Sequence, residues 1–282
     1  MLSEQGMKKS KYFDTPSDSL VNWRKGQMQP DEILALYDQH RIDIEFPGMH
    51  KEIAPHVVRF MRPDSGMNFV LYSRLNEVDV EDVIREQVAF FRQWDQPFSW
   101  KVYDHDKPHD LGKRLIKQGF VSHEREAIMV LDLKNVQPNL LVPVDTDIRK
   151  IVRREQLQDV IRVEEQVWGR DFAWITERMG DYLELPGYLS VYVAYVDNEP
   201  VCTGWTYFYQ DGLFAGLWGG STITAYRGQG LYSAILAVRV QEAVRRGYRF
   251  LTIDASPMSQ PILSRRGFTL LTYARDYDWK VD

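Results

Sequence analysis

The chain has 282 residues, 44% hydrophobic and 27% charged, enough for two cored domains, and its formal net charge of −5 without a basic tract argues against a nucleic-acid partner. Its apolar runs are strand-length, well short of the roughly 20 residues of a membrane span, and residues 1–11 hold no apolar signal core. The expectation is a cytoplasmic protein with no membrane partner.

Residues 1–18 are polar and aperiodic and read as a tail. A helix is expected over 30–42, opening on Pro30 and Asp31, with strands over 56–61 and 67–75 joined by a turn at 63–66. A helix over 80–94, a strand over 98–103, a helix over 109–118 and a strand over 124–133 follow. Residues 135–146 contain Pro138 and Pro143 without apolar period, which suits a linker between a domain at 19–134 and one at 147–282. Beyond it come a strand over 147–152, helices over 155–167 and 174–183, and strands over 189–196, 201–209 and 213–223. Gly216, Gly219 and Gly220 weaken the last of these as a plain strand and suggest a bulge or a close ligand approach.

The next stretch carries the chemistry. Arg227-Gly228-Gln229-Gly230 precedes Leu231, Ala234, Ile235 and Val238 at helical spacing, and the helix stops at Gly247. A glycine turn opening a helix lets the backbone approach an anion, and the unpaired first-turn N–H groups then point at it. A strand over 249–254, a short helix from about residue 258, and Arg266-Gly267-Phe268 before a last strand complete the chain.

This order resembles the GNAT (GCN5-related N-acetyltransferase) superfamily. Its R-x-x-G-x-G/A signature falls on Arg227, Gly230 and Tyr232, and its closing Gly-Phe on Gly267 and Phe268. Tyr232 departs from the usual Gly or Ala, and Leu263 stands where the family commonly has a thiolate-protonating Tyr. The resemblance implies that acetyl-CoA is the co-substrate. Its pyrophosphate would lie on Arg227, Gly228, Gln229, Gly230, Leu231 and Tyr232, and its pantetheine arm along Gly220, Ser221, Thr222 and Ile223, touching Ser256 and Ser259.

The chain also repeats. Leu115-x-x-x-Gly119-Phe120 matches Leu263-x-x-x-Gly267-Phe268 at an offset of 148 residues, and the preceding elements align in the same order. The expected fold is therefore α+β: two tandem GNAT-like domains, each a mixed, mostly antiparallel central sheet flanked by helices, resembling tandem proteins of the mycothiol synthase kind. Where the second half has its glycine turn, the first has Asn76-Glu77-Val78-Asp79-Val80-Glu81-Asp82, whose carboxylates would repel a pyrophosphate.

Direct transfer from thioester to amine needs a base for the amine, donors for the oxyanion and a proton for the thiolate. A main-chain N–H near Ser221 or Thr222 can serve the oxyanion. Glu164 and Glu165 are the acidic candidates, with Glu165 taken as the base; Tyr232 and Ser259 are candidates for the thiolate proton, Tyr232 with a pKa that the helix dipole would lower. Cys202, the single cysteine, reads as a small buried strand residue rather than a nucleophile, and it excludes disulfides and Cys-cluster metal sites. No metal is expected, since none of the six histidines has metal-ligand spacing. The acceptor is a small-molecule or peptide amine, with cationic character suggested by Glu164, Glu165, Asp171, Glu177, Asp181 and Glu184. The protein is expected to be a monomer or homodimer. A non-catalytic acyl-CoA sensor is the alternative.

Overall fold

A computed structural model describes residues 28–63, 66–210 and 212–281; the expected tail at 1–18 lies outside them. Backbone contacts divide the chain into two compact units. The first takes the described residues up to Glu126 together with those from Leu271 onward, and the second takes Ala127–Leu270.

In the first unit, helix α1 (Pro30–Asp43) precedes strands β1 (His50–Ile53), β2 (Val57–Met61) and β3 (Asn68–Ser73), helix α2 (Val80–Arg92), strand β4 (Phe98–Tyr103) and helix α3 (Leu111–Lys117). The strands run β1-β2-β3-β4-β11, where β11 is the C-terminal strand Thr269–Trp279. Only β3 and β4 are parallel, over the pairs Asn68↔Phe98 to Val70↔Trp100. Val80, Val83, Ile84 and Phe91 of α2, Leu111 and Leu115 of α3, and Trp100 and Phe98 of β4 build one core with Trp279. The apolar 3.6 period of α2 supplies its half of that core directly.

The second unit holds the end of β5 (Val121–Asp132), then β6 (Ile148–Ile151), α4 (Leu157–Trp168), α5 (Trp174–Glu184), β7 (Leu189–Val196), β8 (Glu199–Phe208), β9 (Phe214–Trp218), α6 (Leu231–Arg245), β10 (Phe250–Ala255) and α7 (Gln260–Arg265). Its order is β5-β10-β9-β8-β7-β6, again antiparallel except for β9 and β10. Both units are thus mixed, mostly antiparallel sheets with helices, as expected.

The division departs from the expected boundaries at 134 and 147. Residues 274–279 pair with β4, while residues 127–132 pair with β10. A linear repeat of elements does not reveal such an exchange of strands. Residues 135–146 belong to the second unit, where Gln241 on α6 donates to the carbonyls of Leu140 and Val142 at 3.1 and 2.7 Å. The strand expected over 213–223 stops at Trp218, for a reason that belongs to the site.

Candidate functional site

β9 and β10 run parallel for three residue pairs, Phe214↔Phe250 to Gly216↔Thr252. They then part. β10 continues through Ile253–Ala255 paired with β5, whereas the chain after Trp218 stays with β8 through Thr203 N→Ser221 O (2.9 Å), the bridge Cys202↔Thr222 and Ile223 N→Val201 O (3.0 Å). The result is a V between residues 217–223 and the end of β10, with its vertex at Gly216 and Thr252.

The β8 register moves by one residue between Trp205↔Trp218 and Cys202↔Thr222, so one extra residue bulges at Gly219-Gly220. This ends the regular strand at Trp218. Gly219 has φ 59°, and a Cβ there would lie 1.7 Å from the Trp205 ring, so no larger residue fits. On Gly220 a Cβ would meet the Tyr232 ring at 2.7 Å.

At the open end of the V, a single 3₁₀ turn (Thr224–Tyr226) leads to Arg227 and then to α6. Gly228 and Gly230 have φ of 78° and 82°, and a Cβ on either would meet nothing within 4 Å. Backbone conformation demands glycine there, and the space beside it is empty. No side chain caps α6 and no acid lies in its first turn. Arg227 is exposed and donates from Nε to Thr222 O at 3.1 Å. Arg266 reaches Ser233 Oγ in that first turn at 2.8 Å. Two guanidinium groups therefore flank a helix N-terminus whose dipole already favours an anion. Arg266 reads in the sequence only as the residue before Gly267-Phe268, because only the fold brings it to residue 233.

Along the V, the acidic group is Glu164 and not Glu165. Glu165 is exposed and accepts from Phe172 N at 3.4 Å. Glu164 is 2% exposed, on the α4 face that includes Leu157, Val160 and Ile161. Its Oε2 accepts from Ser221 Oγ (2.8 Å) and Trp168 Nε1 (3.0 Å), and its Oε1 lies 2.6 Å from Thr203 Oγ1. Burial pushes this carboxyl up from its ordinary range, and the three hydrogen bonds oppose that only in part. The signal was present in the spacing: residues 157, 160, 161 and 164 share one helical face.

Tyr232 is half-buried, and burial pushes its phenol up rather than the helix dipole bringing it down. Ser259 is occupied in the turn closing β10, donating to Ser256 O at 3.2 Å with Ser256 Oγ 3.2 Å from its own Oγ. Leu263 is fully buried. Cys202 is buried, its thiol pushed up to about 11 by burial, with Sγ 3.1 Å from Thr222 Oγ1. Among the described residues no group of three His, Cys, Asp or Glu is placed to hold a metal ion, and no helix is long and apolar enough to cross a membrane.

The first unit has the same V, closed by its own side chains. Just past the last parallel pair, Leu71 O accepts from Arg41 Nε (3.2 Å) and Nη2 (3.0 Å). Arg41 is 1% exposed, pairs with Asp106 at 3.3 Å and Asp38 at 2.8 Å, and lies 3.5 Å from the Tyr103 ring centroid. At the start of α2, Asn76 and Asp79 hydrogen-bond each other, and Glu77 and Glu81 pair with Arg114. Where the second unit has an uncapped helix start flanked by Arg227 and Arg266, the first has Arg41 on Leu71 O and carboxylates at its helix start.

No protein-family model and no curated protein matches this sequence. Solved structures do. A GCN5-related N-acetyltransferase from Kribbella flavida is 14% identical with a TM-score of 0.67, covering 91% of this chain and 98% of that one. A conserved protein of unknown function from Staphylococcus epidermidis is 15% identical with a TM-score of 0.60, covering 84% and 96%. A tandem GNAT protein from the clavulanic acid biosynthesis pathway is 12% identical with a TM-score of 0.54, covering 95% and 96%. The chain has the GNAT fold.

Proposed function

We propose that this protein is an N-acyltransferase that moves a short acyl group from acyl-CoA to a primary amine, with one site, in the V of the second unit. The observation that carries the reading is the coincidence of three features there: an uncapped α6 start flanked by Arg227 and Arg266, the parting of β9 from β10 after Gly216 and Thr252, and a buried carboxylate, Glu164, bonded to Ser221 on the parted strand.

The residues present suit coenzyme A. Gly228, Gly230 and the first-turn N–H groups of α6 would hold the pyrophosphate with Arg227 and Arg266, and residues 217–223 offer backbone to an arm lying in the V. Acyl-CoA supplies an activated thioester carbonyl. The chain does the rest: it orients the carbonyl on the bulged strand near Ser221, and it takes the amine proton. Glu164 is 2% exposed and Ser221 4%, so the amine proton reaches them through water: Ser221 Oγ accepts it as it passes its own proton to Glu164 Oε2 at 2.8 Å. With Leu263 apolar and Ser259 occupied, the leaving thiolate takes its proton from solvent or Tyr232.

Release of free coenzyme A from acyl-CoA, measured against a panel of primary amines, tests this reading. Amine-dependent release supports it. Binding of acyl-CoA with no release for any amine would favour a sensor instead, a reading to which the missing hydroxyl at Leu263 also points.

A further inference from the structure

Four tryptophans are exposed among the described residues, and three of them, Trp168, Trp174 and Trp218, belong to the second unit. Singly exposed apolar side chains are ordinary, but two of these stand beside the Ser221–Glu164 pair. Trp168 closes α4, and its Nε1 donates to Glu164 Oε2 (3.0 Å) and Ser221 Oγ (3.1 Å), yet the residue is 58% exposed. A surface indole ordinarily turns its N–H to water and rests its ring on protein; here the N–H is held by a buried carboxylate and the ring is left bare. Trp218, 47% exposed, ends β9 three residues before Ser221, a span of at most about 10 Å. It pairs with Trp205, which shares its face of β8 with Thr203, whose Oγ1 lies 2.6 Å from Glu164; Trp218 is therefore on the α4 side of the sheet, as Ser221 Oγ and Trp168 are. A Cβ on Gly216 would lie 3.0 Å from Trp218 Nε1, so this ring reaches back over the vertex of the V.

Charge decides which amine these rings suit, because aromatic faces attract both other rings and cations. Cations are already present. Arg170 lies 5.0 Å from the Phe172 ring centroid and Arg178 lies 5.0 Å from that of Trp174. Arg170 also joins the three hydrogen bonds of Glu164 in opposing the upward shift that burial gives this carboxyl. The acids of the same segment are engaged: Asp181 and Glu184 pair with Arg154 at 2.7 and 3.1 Å, Asp171 accepts from Ala173 N at 2.7 Å, and Glu165 accepts from Phe172 N at 3.4 Å. A polyamine would meet guanidinium groups beside the tryptophans, whereas a neutral ring meets bare indole.

Resting on the acyltransferase reading above, we propose that the acceptor is an aryl-substituted primary amine, such as a 2-arylethylamine, whose ring packs on the exposed face of Trp168, with Trp218 lining the same side of the sheet. Trp168 is then the main specificity residue. Its bonds to Glu164 and Ser221 fix the indole, so a ring resting on it holds the amine beside the water that serves Ser221 Oγ. An indole whose orientation is set before binding loses little freedom on contact, which strengthens discrimination.

Values of kcat/KM with acetyl-CoA for 2-phenylethylamine and butylamine, with spermidine and glucosamine as further acceptors, test this on the wild-type protein. 2-Phenylethylamine is expected to exceed each of the others by at least about tenfold. Trp168→Leu should bring the ratio of 2-phenylethylamine to butylamine to within about threefold of one. That ratio separates two roles of the residue: loss of the N–H from Glu164 and Ser221 slows every amine alike and leaves the ratio unchanged, whereas loss of the ring face acts on the aryl amine alone. Trp218→Leu removes no hydrogen bond to either residue, should lower the ratio about threefold or more, and serves if Trp168→Leu does not fold. Equal wild-type values for butylamine, a preference for spermidine or glucosamine, or ratios unchanged in the folded variants would overturn the proposal while leaving acyl transfer standing. Acetyl-CoA bound with no release of coenzyme A for any amine would overturn both readings.

Discussion

Ser221 Oγ donates to Glu164 Oε2 at 2.8 Å, joining residues 57 positions apart and tying the bulged strand of the V to the buried face of α4. This contact makes Glu164 the proton acceptor in the account, and it sets the first expectation. Glu164→Gln preserves shape and most hydrogen bonds, and should lower kcat by roughly 10²-fold or more. Stability should move the other way. A carboxyl whose folded pKa is raised contributes stability at low pH and loses it as pH rises through that pKa, so near neutral pH the ionised Glu164 opposes folding. Glu164→Gln should therefore hold or raise the Tm at pH 7.5. A fall in Tm along with activity would make Glu164 a structural residue.

The same raised pKa shapes the pH profile. Activity should decline as pH falls through the Glu164 pKa, at a midpoint above the usual carboxylate range of about 4.3. A kcat/KM profile whose acid limb lies within or below the usual carboxylate range contradicts that assignment.

Tyr232 carries a third expectation. Its phenol is pushed up by burial, which makes it a poorer acid for a thiolate whose own conjugate pKa is about 8.5. Its ring meanwhile packs on Gly220. Tyr232→Phe keeps that packing and should leave kcat within about threefold; a loss of roughly 10²-fold would reinstate the hydroxyl as the proton donor.

The bulge was legible, since paired glycines at 219 and 220 interrupt a strand otherwise rich in apolar residues. The glycine turn at 228 and 230 was legible for the same local reason. Glu164 was within reach, and choosing Glu165 ignored the helical face already marked by Leu157, Val160 and Ile161. Strand β1 (His50–Ile53) was missed because four residues, none fully buried, leave no alternation to read. Arg266 near Ser233, Arg41 in the V of the first unit and Trp168 on Ser221 are tertiary meetings between distant segments, with no local pattern to announce them.

Cys202 supplies a fourth expectation. With its thiol at about 11 and buried, it should resist alkylation of the folded protein at pH 7.5. Cys202→Ala should retain most turnover, because the proposed direct transfer from thioester to amine needs no thiol nucleophile. Loss of activity in a folded Cys202→Ala protein, or rapid alkylation that inactivates, would point to an acyl-enzyme instead.

The plug in the first unit can be opened. Arg41→Ala leaves Asp106 buried without its partner and should cost about 3–5 kcal/mol, read as a lowered denaturation midpoint. It should not create a second coenzyme site, since the start of α2 stays lined with Glu77, Asp79 and Glu81. A measurable second site in this variant would mean that the plug alone, and not the acidic turn, closes the first unit.

Isothermal titration with coenzyme A separates one site per chain, on the glycine turn of the second unit, from every other arrangement. The wild type is expected to bind with a stoichiometry of one, and Arg227→Glu with Gly230→Asp to leave no detectable binding. Those changes remove one charge-assisted contact and add carboxylates beside the pyrophosphate, each worth about 1.5–3 kcal/mol. Two sites per chain, or one site that survives both substitutions in the folded protein, would contradict it.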